Sequence, residues 1–337
     1  MTAPLLEVRD LHKHYPVRGG ILSRNVGTVR AVAGVSLTVH AGQTLGLVGE
    51  SGCGKSTLGR TLMRLEEPTG GQVLFDGKDL AQASGDTLFK LRREMQMVFQ
   101  DPYSSLNPRL TVGEIVREPM LVHGMGSKAE QIERVRELLA TVGLGADALQ
   151  RYPSEFSGGQ RQRIGVARAL SLNPRLVIAD EPVSALDVSV QSQVLNLMVQ
   201  LQRERGLAYV FISHDLSVVE HVSDTVAIMY LGRIVEMGPV RQIFDRPAHP
   251  YTRALMQAIP SGDPRVRREA APLAGETPSP MAPPAGCAFS SRCPFAIDAC
   301  RQAVPALVPA LVQVGTPNST PGDAHVAACI RLEAIGA

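Results

Sequence analysis

The chain reads as an α/β fold, a mostly parallel sheet covered by helices and carrying a helical insertion, and three observations predict it. A glycine-rich segment of the pattern G-x-x-x-x-G-K-[ST], Gly49 to Ser56, lies between the apolar run Thr44 to Val48 and a helical pattern that begins near Lys55. Strand-like and helix-like runs alternate through the second half: Leu176 to Ala179, Ser189 to Glu204, Ala208 to Ile212, Leu216 to His221, Thr225 to Met229 and Arg233 to Met237. Asp86 to Leu172 is mainly helical in pattern, with a break near Met95 to Gln100.

Further strand-like runs at Leu5 to Val8, Val29 to Val39 and Gln72 to Phe75 surround the glycine-rich segment. Gly49, Gly52 and Gly54 lack Cβ atoms, so this loop can curl round a diphosphate and aim successive N–H groups inward, with the following helix adding its positive dipole end. The small Ser51 and Cys53 fit between them. Lys55 is expected to neutralise β and γ phosphates, Ser56 to bind Mg2+ through its hydroxyl, and Thr57 to add a phosphate contact.

Leu176 to Ala179 has the length and apolarity of a buried parallel strand, whose carboxyl end delivers Asp180 and Glu181. Two adjacent carboxylates after such a strand are costly unless used. Asp180 suits Mg2+, and Glu181 suits a general base that orients and deprotonates a water for in-line transfer of the γ-phosphoryl group. Further along, Ser157, Gly158, Gly159 and Gln160 open a helical stretch and form an anion site at its N-terminus, although Ser-Gly-Gly taken alone is ordinary loop chemistry.

With 337 residues, 44% hydrophobic and 20% charged, the chain can bury a core and form two domains, or one with additions. A formal net charge of +2 gives no electrostatic footprint for nucleic acid. No apolar run approaches the roughly 18 residues that would span a bilayer, and the N-terminus shows no signal-peptide pattern, so attachment to a membrane is expected only through partner chains. Seven prolines between Ile259 and Gly286 (Pro260, Pro264, Pro272, Pro278, Pro280, Pro283, Pro284) predict an extended connector. Beyond it, Cys287, Cys293, Cys300 and Cys329 fall within the last 51 residues. In a reducing compartment these thiols form either a metal or cluster site or a set of free buried cysteines, and their spacing is not that of the common zinc ribbons.

These motifs, in this order, resemble the ATP-binding subunits of ABC transporters. The resemblance runs from about residue 4 to the C-terminus. It adds Phe156 to the Ser157–Gln160 signature, Gln100 as the Q-loop, Ser184-Ala185-Leu186-Asp187 as the D-loop and His214 as the switch histidine. The implied fold is the P-loop ABC ATPase: a mostly parallel sheet, an antiparallel β subdomain, a helical subdomain at about 86–172 and a C-terminal cysteine-bearing extension. Its implied divisions are a nucleotide-binding domain at 4–258, a connector at 259–286 and a tail at 287–337. The resemblance further implies a head-to-tail dimer in which ATP on one subunit's loop is capped by the other's Ser157–Gln160. Within it, His214 contacts the γ-phosphate, Gln100 senses Mg2+ and the membrane partner, and Asp187 links the two sites. Tyr15 is the candidate for stacking on adenine, against the alternative of a tyrosine that closes a strand.

Arg246-Pro247-Ala248-His249-Pro250-Tyr251-Thr252, Gly286-Cys287-Ala288-Phe289 and Arg292-Cys293-Pro294 look like the C-terminal region of oligopeptide/dipeptide importer ATPases, and Asp101 to Arg109 looks like the F-type subunit. That resemblance implies a heterodimer with a second homologous ATPase, two transmembrane permease subunits and an extracellular substrate-binding protein. It places the chain peripherally on the cytoplasmic face of the inner membrane. Cargo expectations are peptides first, with nickel chelates or glutathione as alternatives, and a soluble ABC ATPase without transport as the rival. Some members carry a [4Fe-4S] cluster, which the four tail cysteines are then expected to hold, with zinc as the alternative; His249 and His325 are expected to be structural.

Overall fold

Period-two and fully apolar runs become strands, and capped amphipathic runs become helices, across residues 3–19, 24–258, 275–310 and 324–336, the residues that the computed structural model describes. In chain order the strands are β1 (Leu6–Gly19), β2 (Arg24–Val39), β3 (Thr44–Val48), β4 (Gly70–Phe75), β5 (Lys78–Asp79) and β6 (Met95–Val98). They continue as β7 (Leu176–Asp180), β8 (Ala208–Ser213), β9 (Thr225–Tyr230), β10 (Arg233–Pro239), β11 (Val308–Pro309) and β12 (Val326–Ala327). The first helices are α1 (Lys55–Leu62), α2 (Gly85–Glu94), α3 (Pro102–Ser105), α4 (Val112–Val122) and α5 (Lys128–Thr141). The later ones are α6 (Gly158–Leu170), α7 (Val188–Arg205), α8 (Leu216–Val222), α9 (Val240–Asp245) and α10 (Pro250–Gln257). None among the described residues is long and apolar enough to cross a membrane.

The elements divide between two compact units. The first comprises Met1–Leu5, Val39–Thr44 and Gln82–Ser213. Its β6, β7 and β8 pair in parallel, Met95 opposite Leu176 and Leu176 opposite Ala208, and every residue of β7 and β8 is buried. Burying each Val, Leu or Ile there contributes about 1.5–3 kcal/mol. Three helices of this unit open with reciprocal capping boxes, Thr111 with Glu114, Ser127 with Glu130 and Ser157 with Gln160. Each box satisfies two otherwise orphaned N–H groups. The apolar faces of α4, α5 and α6 then bury Ile115, Val116, Leu138, Leu139, Ile164 and Leu170. α7 stops at Gly206, whose φ of 63° closes the helix in the left-handed conformation.

The second unit comprises Leu6–Thr38, Leu45–Ala81 and His214–Ala337. β1 pairs antiparallel with β4, Leu6 opposite Phe75, and β4 with β5, which forms the expected antiparallel subdomain. β3 and β9 are parallel, with Val48 opposite Ile228, and β10 runs antiparallel to β9. β1 and β2 are longer than the apolar runs Leu5 to Val8 and Val29 to Val39. Beyond its run the residues of β1 are half-exposed or exposed except for the buried Leu11, so the hydrophobic pattern fades while the strand continues.

The C-terminal extension is woven into this second unit. β12 pairs with β10, Glu236 opposite Ala327, and β11 with β12, while Ala248, Ala310, Ala327 and Leu332 form a small apolar cluster. Of the expected connector, 259–274 (with Pro260, Pro264 and Pro272) lies outside the described residues. The remaining prolines, Pro278 to Pro284, sit in neither helix nor strand, and the Pro280 carbonyl accepts the Arg30 N–H at 3.2 Å.

Candidate active site

The second unit holds the phosphate loop. β3 ends at Val48, the loop turns through Gly49–Gly54, and α1 starts at Lys55. Gly54 has φ 107°, and a Cβ there would stand 2.0 Å from the Ala31 carbonyl oxygen; Gly52 has φ 79° with open space around it. Close packing therefore dictates Gly54, and backbone conformation alone dictates Gly52. Gly54→Ala is expected to abolish nucleotide binding and to cost more than the about 1–3 kcal/mol of backbone strain, because β2 must also move. Gly52→Ala pays only the strain. Denaturant unfolding of both variants checks the difference, and equal losses would contradict it.

Lys55, 5% exposed, donates through Nζ to the Gly49 carbonyl at 2.8 Å and to the Glu50 carbonyl at 3.1 Å. Ser56 and Thr57 occupy the first turn of α1, half-buried. Ser51 is exposed and Cys53 buried; burial pushes the Cys53 thiol up, and its main-chain carbonyl accepts the Gly232 N–H at 2.8 Å. Tyr15 lies within β1 rather than at its end, half-buried, with Lys13 Nζ 4.8 Å above its ring. His214 is exposed immediately after β8, next to Asp215, whose carboxylate caps α8 through the Ser217 and Val218 N–H groups.

Within the first unit, Asp180 ends β7 and is 2% exposed. Glu181 follows with φ 46°, a left-handed conformation rare outside glycine, held where its N–H donates to the Ile212 carbonyl at 2.9 Å. Gln100 Nε2 donates to Glu181 Oε2 at 3.1 Å, so the structure brings these two expected residues together. Ser157 caps α6: its hydroxyl accepts the Gln160 N–H at 3.4 Å, and Gln160 Oε1 accepts the Ser157 N–H at 3.0 Å. Gly159 has a packing reason as well, since a Cβ would stand 2.1 Å from Val190 Cγ1, whereas Gly158 has only ordinary contacts. Asp187 precedes α7 without a side-chain capping bond, and the neighbouring Val188 is 78% exposed.

In the extension, Cys287, Cys293, Cys300 and Cys329 are free thiols that line one cavity of about 20 Å³. Burial pushes the Cys287 thiol up to about 11, with the Phe289 N–H opposing and the other three thiols reinforcing the shift. Burial also raises the Cys293 and Cys329 thiols, which receive the N–H groups of Phe295 and Arg331. Among the described residues no three His, Cys, Asp or Glu side chains stand in a metal-ligating arrangement. The sulfurs thus converge on a cavity without forming a preset site. His249 and His325 are tied into the protein: His249 Nδ1 accepts the Tyr251 N–H, and His325 Nε2 bonds Glu236 Oε1 at 2.6 Å.

The sequence did not disclose the contacts that surround Glu50. Its N–H donates to Tyr251 Oη at 3.0 Å and its carboxylate accepts from Arg292 and Thr277, partners 201 to 242 residues away. The fragment Arg292-Cys293-Pro294 flagged the residue, but no local pattern gives its partner.

A strand–loop–helix phosphate cradle and a strand ending in paired carboxylates, with a capped Ser-Gly-Gly-Gln helix start on the same chain, define an ATP-binding cassette ATPase. Residues 32–184 match the ABC transporter family, and residues 235–300 match the oligopeptide/dipeptide transporter C-terminal region. A probable peptide ABC transporter ATP-binding protein of Sinorhizobium fredii is 58% identical over 92% of this chain and 88% of its own length. The oligopeptide transport ATP-binding protein AppF of Bacillus subtilis is 56% identical over 89% and 92%, and the dipeptide transport ATP-binding protein DppF of Escherichia coli 54% over 91% and 92%. Among solved structures, the dimeric post-hydrolysis state of the ATP-binding cassette MJ0796 bound to ADP and Pi superposes with a TM-score of 0.63 at 30% identity, covering 70% of this chain and 99% of that one. The chain belongs to the ABC transporter ATP-binding proteins, in the oligopeptide/dipeptide transporter group, so the family and fold expected from the motifs are borne out.

Proposed function

We propose that the chain hydrolyses ATP to power import of di- or oligopeptides through a membrane permease complex. One observation carries the reading: a complete set of cassette motifs shares a chain with the transporter-specific C-terminal region, in a family whose members are named for peptide transport. The nucleotide-binding domain at 4–258, the connector at 259–286 and the tail at 287–337 are the proposed divisions.

In this reading the amides of Gly49, Ser51, Gly52, Cys53 and Gly54 cradle the phosphates, and Lys55 exchanges its two carbonyl partners for phosphate oxygens. Tyr15 stacks on adenine and Thr57 adds a phosphate contact. Ser56, Gln100 and Asp180 offer the oxygen donors that Mg2+ prefers, and the ion neutralises charge on the transferred phosphoryl group. Glu181, held by Gln100, takes the proton of the attacking water, and His214 steadies the γ-phosphate. The Ser157–Gln160 helix start caps the nucleotide of a second, homologous ATPase, and Asp187 beside the exposed Val188 faces that partner. ATP binding closes the dimer and moves two permeases; hydrolysis and phosphate release reopen it. Peptide arrives from an extracellular binding protein. Attachment is peripheral, through the permeases, on the cytoplasmic face of the inner membrane.

Reconstitution of the assembly in vesicles whose nucleotide sites face the lumen, with ATP enclosed and the binding protein and peptide outside, tests the assignment. ATP-dependent accumulation of labelled di- or tripeptides, lost with Lys55→Ala, is expected; accumulation of only glutathione or a nickel chelate overturns the cargo.

For the extension, four thiols on one cavity, with N–H groups aimed at three of the sulfurs, suit a tetrathiolate site. On that convergence Cys287, Cys293, Cys300 and Cys329 are assigned a [4Fe-4S] cluster, with a single zinc as the alternative. Anaerobically purified protein is expected to show near-visible absorption and bound iron and sulfide. A colourless, iron-free and zinc-free preparation with four reactive thiols would remove the site.

A further inference from the structure

Every polar group of Glu50, the second residue of the phosphate loop, is committed. Its carbonyl accepts Lys55 Nζ at 3.1 Å and the Cys53 N–H at 3.2 Å, and its N–H donates to Tyr251 Oη on α10 at 3.0 Å. Its carboxylate is gripped by the C-terminal extension: Arg292 Nη1 reaches both oxygens at 3.1 and 3.0 Å, and Thr277 Oγ1 donates to Oε2 at 2.9 Å. Arg292 is itself fixed. Its side chain is 7% exposed, Nη1 also donates to Thr277 Oγ1 at 3.2 Å and Tyr230 Oη at 3.4 Å, and its guanidinium stands 6.0 Å from the Tyr230 ring centre. Below it, Tyr230, Tyr251 and Phe289 pack with ring centres 4.6 to 5.4 Å apart, joining β9, α10 and the extension in one rigid floor.

We propose that Arg292 is a positioning residue for nucleotide binding: by clamping Glu50 it holds the phosphate loop in its cradle shape, so that the extension sets the affinity for ATP. The inference rests on the assignment of Gly49–Ser56 as the ATP site. Lys55 Nζ now bonds two loop carbonyls, the bonds for which a phosphate competes. When Lys55 leaves the Glu50 carbonyl, the clamp on the Glu50 side chain and the Tyr251 bond to its N–H keep the residue in place. Without the clamp, ordering the loop amides is charged against binding. A purely structural bridge would tie the extension to any surface carboxylate; this one ends on a residue between the loop's first glycine and its lysine, and is three-quarters shielded on the Glu50 side at 27% exposure. Position, shielding and the number of segments that converge all point to the loop as the object of the contact.

Titration of the full-length chain with the fluorescent nucleotide mant-ATP tests this, alongside KM and kcat for ATP in the assembled transporter. Arg292→Ala and Glu50→Ala are each expected to weaken nucleotide binding about tenfold, the effect of losing a charge-assisted bond to a partly exposed group. The double variant should lose no more than either alone, because both remove one interaction. KM should rise in step while kcat stays within about twofold, and Arg292→Lys should recover part of the affinity, keeping the charge but not the planar guanidinium whose Nη1 reaches both oxygens. Unchanged affinity in Glu50→Ala, or a multiplicative hundredfold loss in the double variant, overturns the proposal while leaving the ATP site intact. Should Arg292→Ala fail to fold, Glu50→Ala decides alone, since its side chain is absent from the aromatic floor. A wild-type chain that does not bind mant-ATP sinks the ATP-site reading itself and this inference with it.

Discussion

Glu181→Gln is expected to cut ATP turnover by about 10³-fold, within the range for loss of a general base, while nucleotide still binds and holds the dimer closed. The substitution is nearly isosteric, and the features that place the side chain survive it. The backbone of Glu181 is fixed by its N–H to the Ile212 carbonyl and by Ser184, whose N–H and hydroxyl both donate to the Glu181 carbonyl, at 3.3 and 3.1 Å. Gln100 Nε2 can donate to the amide oxygen as it does to Oε2 at 3.1 Å. Only proton affinity is lost, so binding and chemistry should separate. Single-turnover phosphate release measures the chemistry, and retained labelled ATP measures the closed state. Phosphate release at the wild-type rate in the intact assembly would refute the assignment of Glu181 as base, and loss of ATP binding would mean that the side chain has a binding role instead.

Local chemistry was legible in the residues, and long-range ties were not. Gly49–Ser56, Asp180–Glu181 and Ser157–Gln160 declare themselves because a cradle, a strand-end carboxylate pair and a helix cap each need particular residue types within a few positions, and the structure puts them on a loop, a strand end and a capping box. The Gly159 contact with Val190 shows the limit: the glycine is visible, but its packing partner across to α7 is not. The strand β1 reads short in the sequence because half-exposed residues such as His12 and His14 blur the alternation on which a strand is recognised. The extension read as a separate tail because β12 is two residues long and its partner β10 lies about ninety positions earlier, well beyond the reach of periodicity.

The same long-range tie carries the largest expected stability effect. Glu236 on β10 is fully buried, and its carboxyl group joins three segments: Oε1 accepts the Ala248 N–H at 2.7 Å and bonds His325 Nε2 at 2.6 Å, and Oε2 accepts the His249 N–H at 2.8 Å. Those two amides lead into α10, and His325 leads into β12, so one side chain fixes both the helix entry and the extension against the sheet. Glu236→Ala leaves two buried N–H groups and an imidazole without their acceptor and opens a void; the expected loss is about 3–5 kcal/mol, as for breaking a buried polar pair from one side. Glu236→Gln keeps one acceptor oxygen but turns an NH2 toward a donor, so it should cost less than Ala and more than the about 0.5 kcal/mol typical of surface changes. Urea unfolding gives the free energies. Amide exchange at Ala328, whose N–H donates to the Val235 carbonyl at 2.8 Å, reports whether β12 has come away from β10. If Glu236→Ala lost under about 1 kcal/mol and left Ala328 protected, the carboxyl group would be a passive occupant of the core, and β12 would owe its place to the apolar cluster of Ala248, Ala310, Ala327 and Leu332.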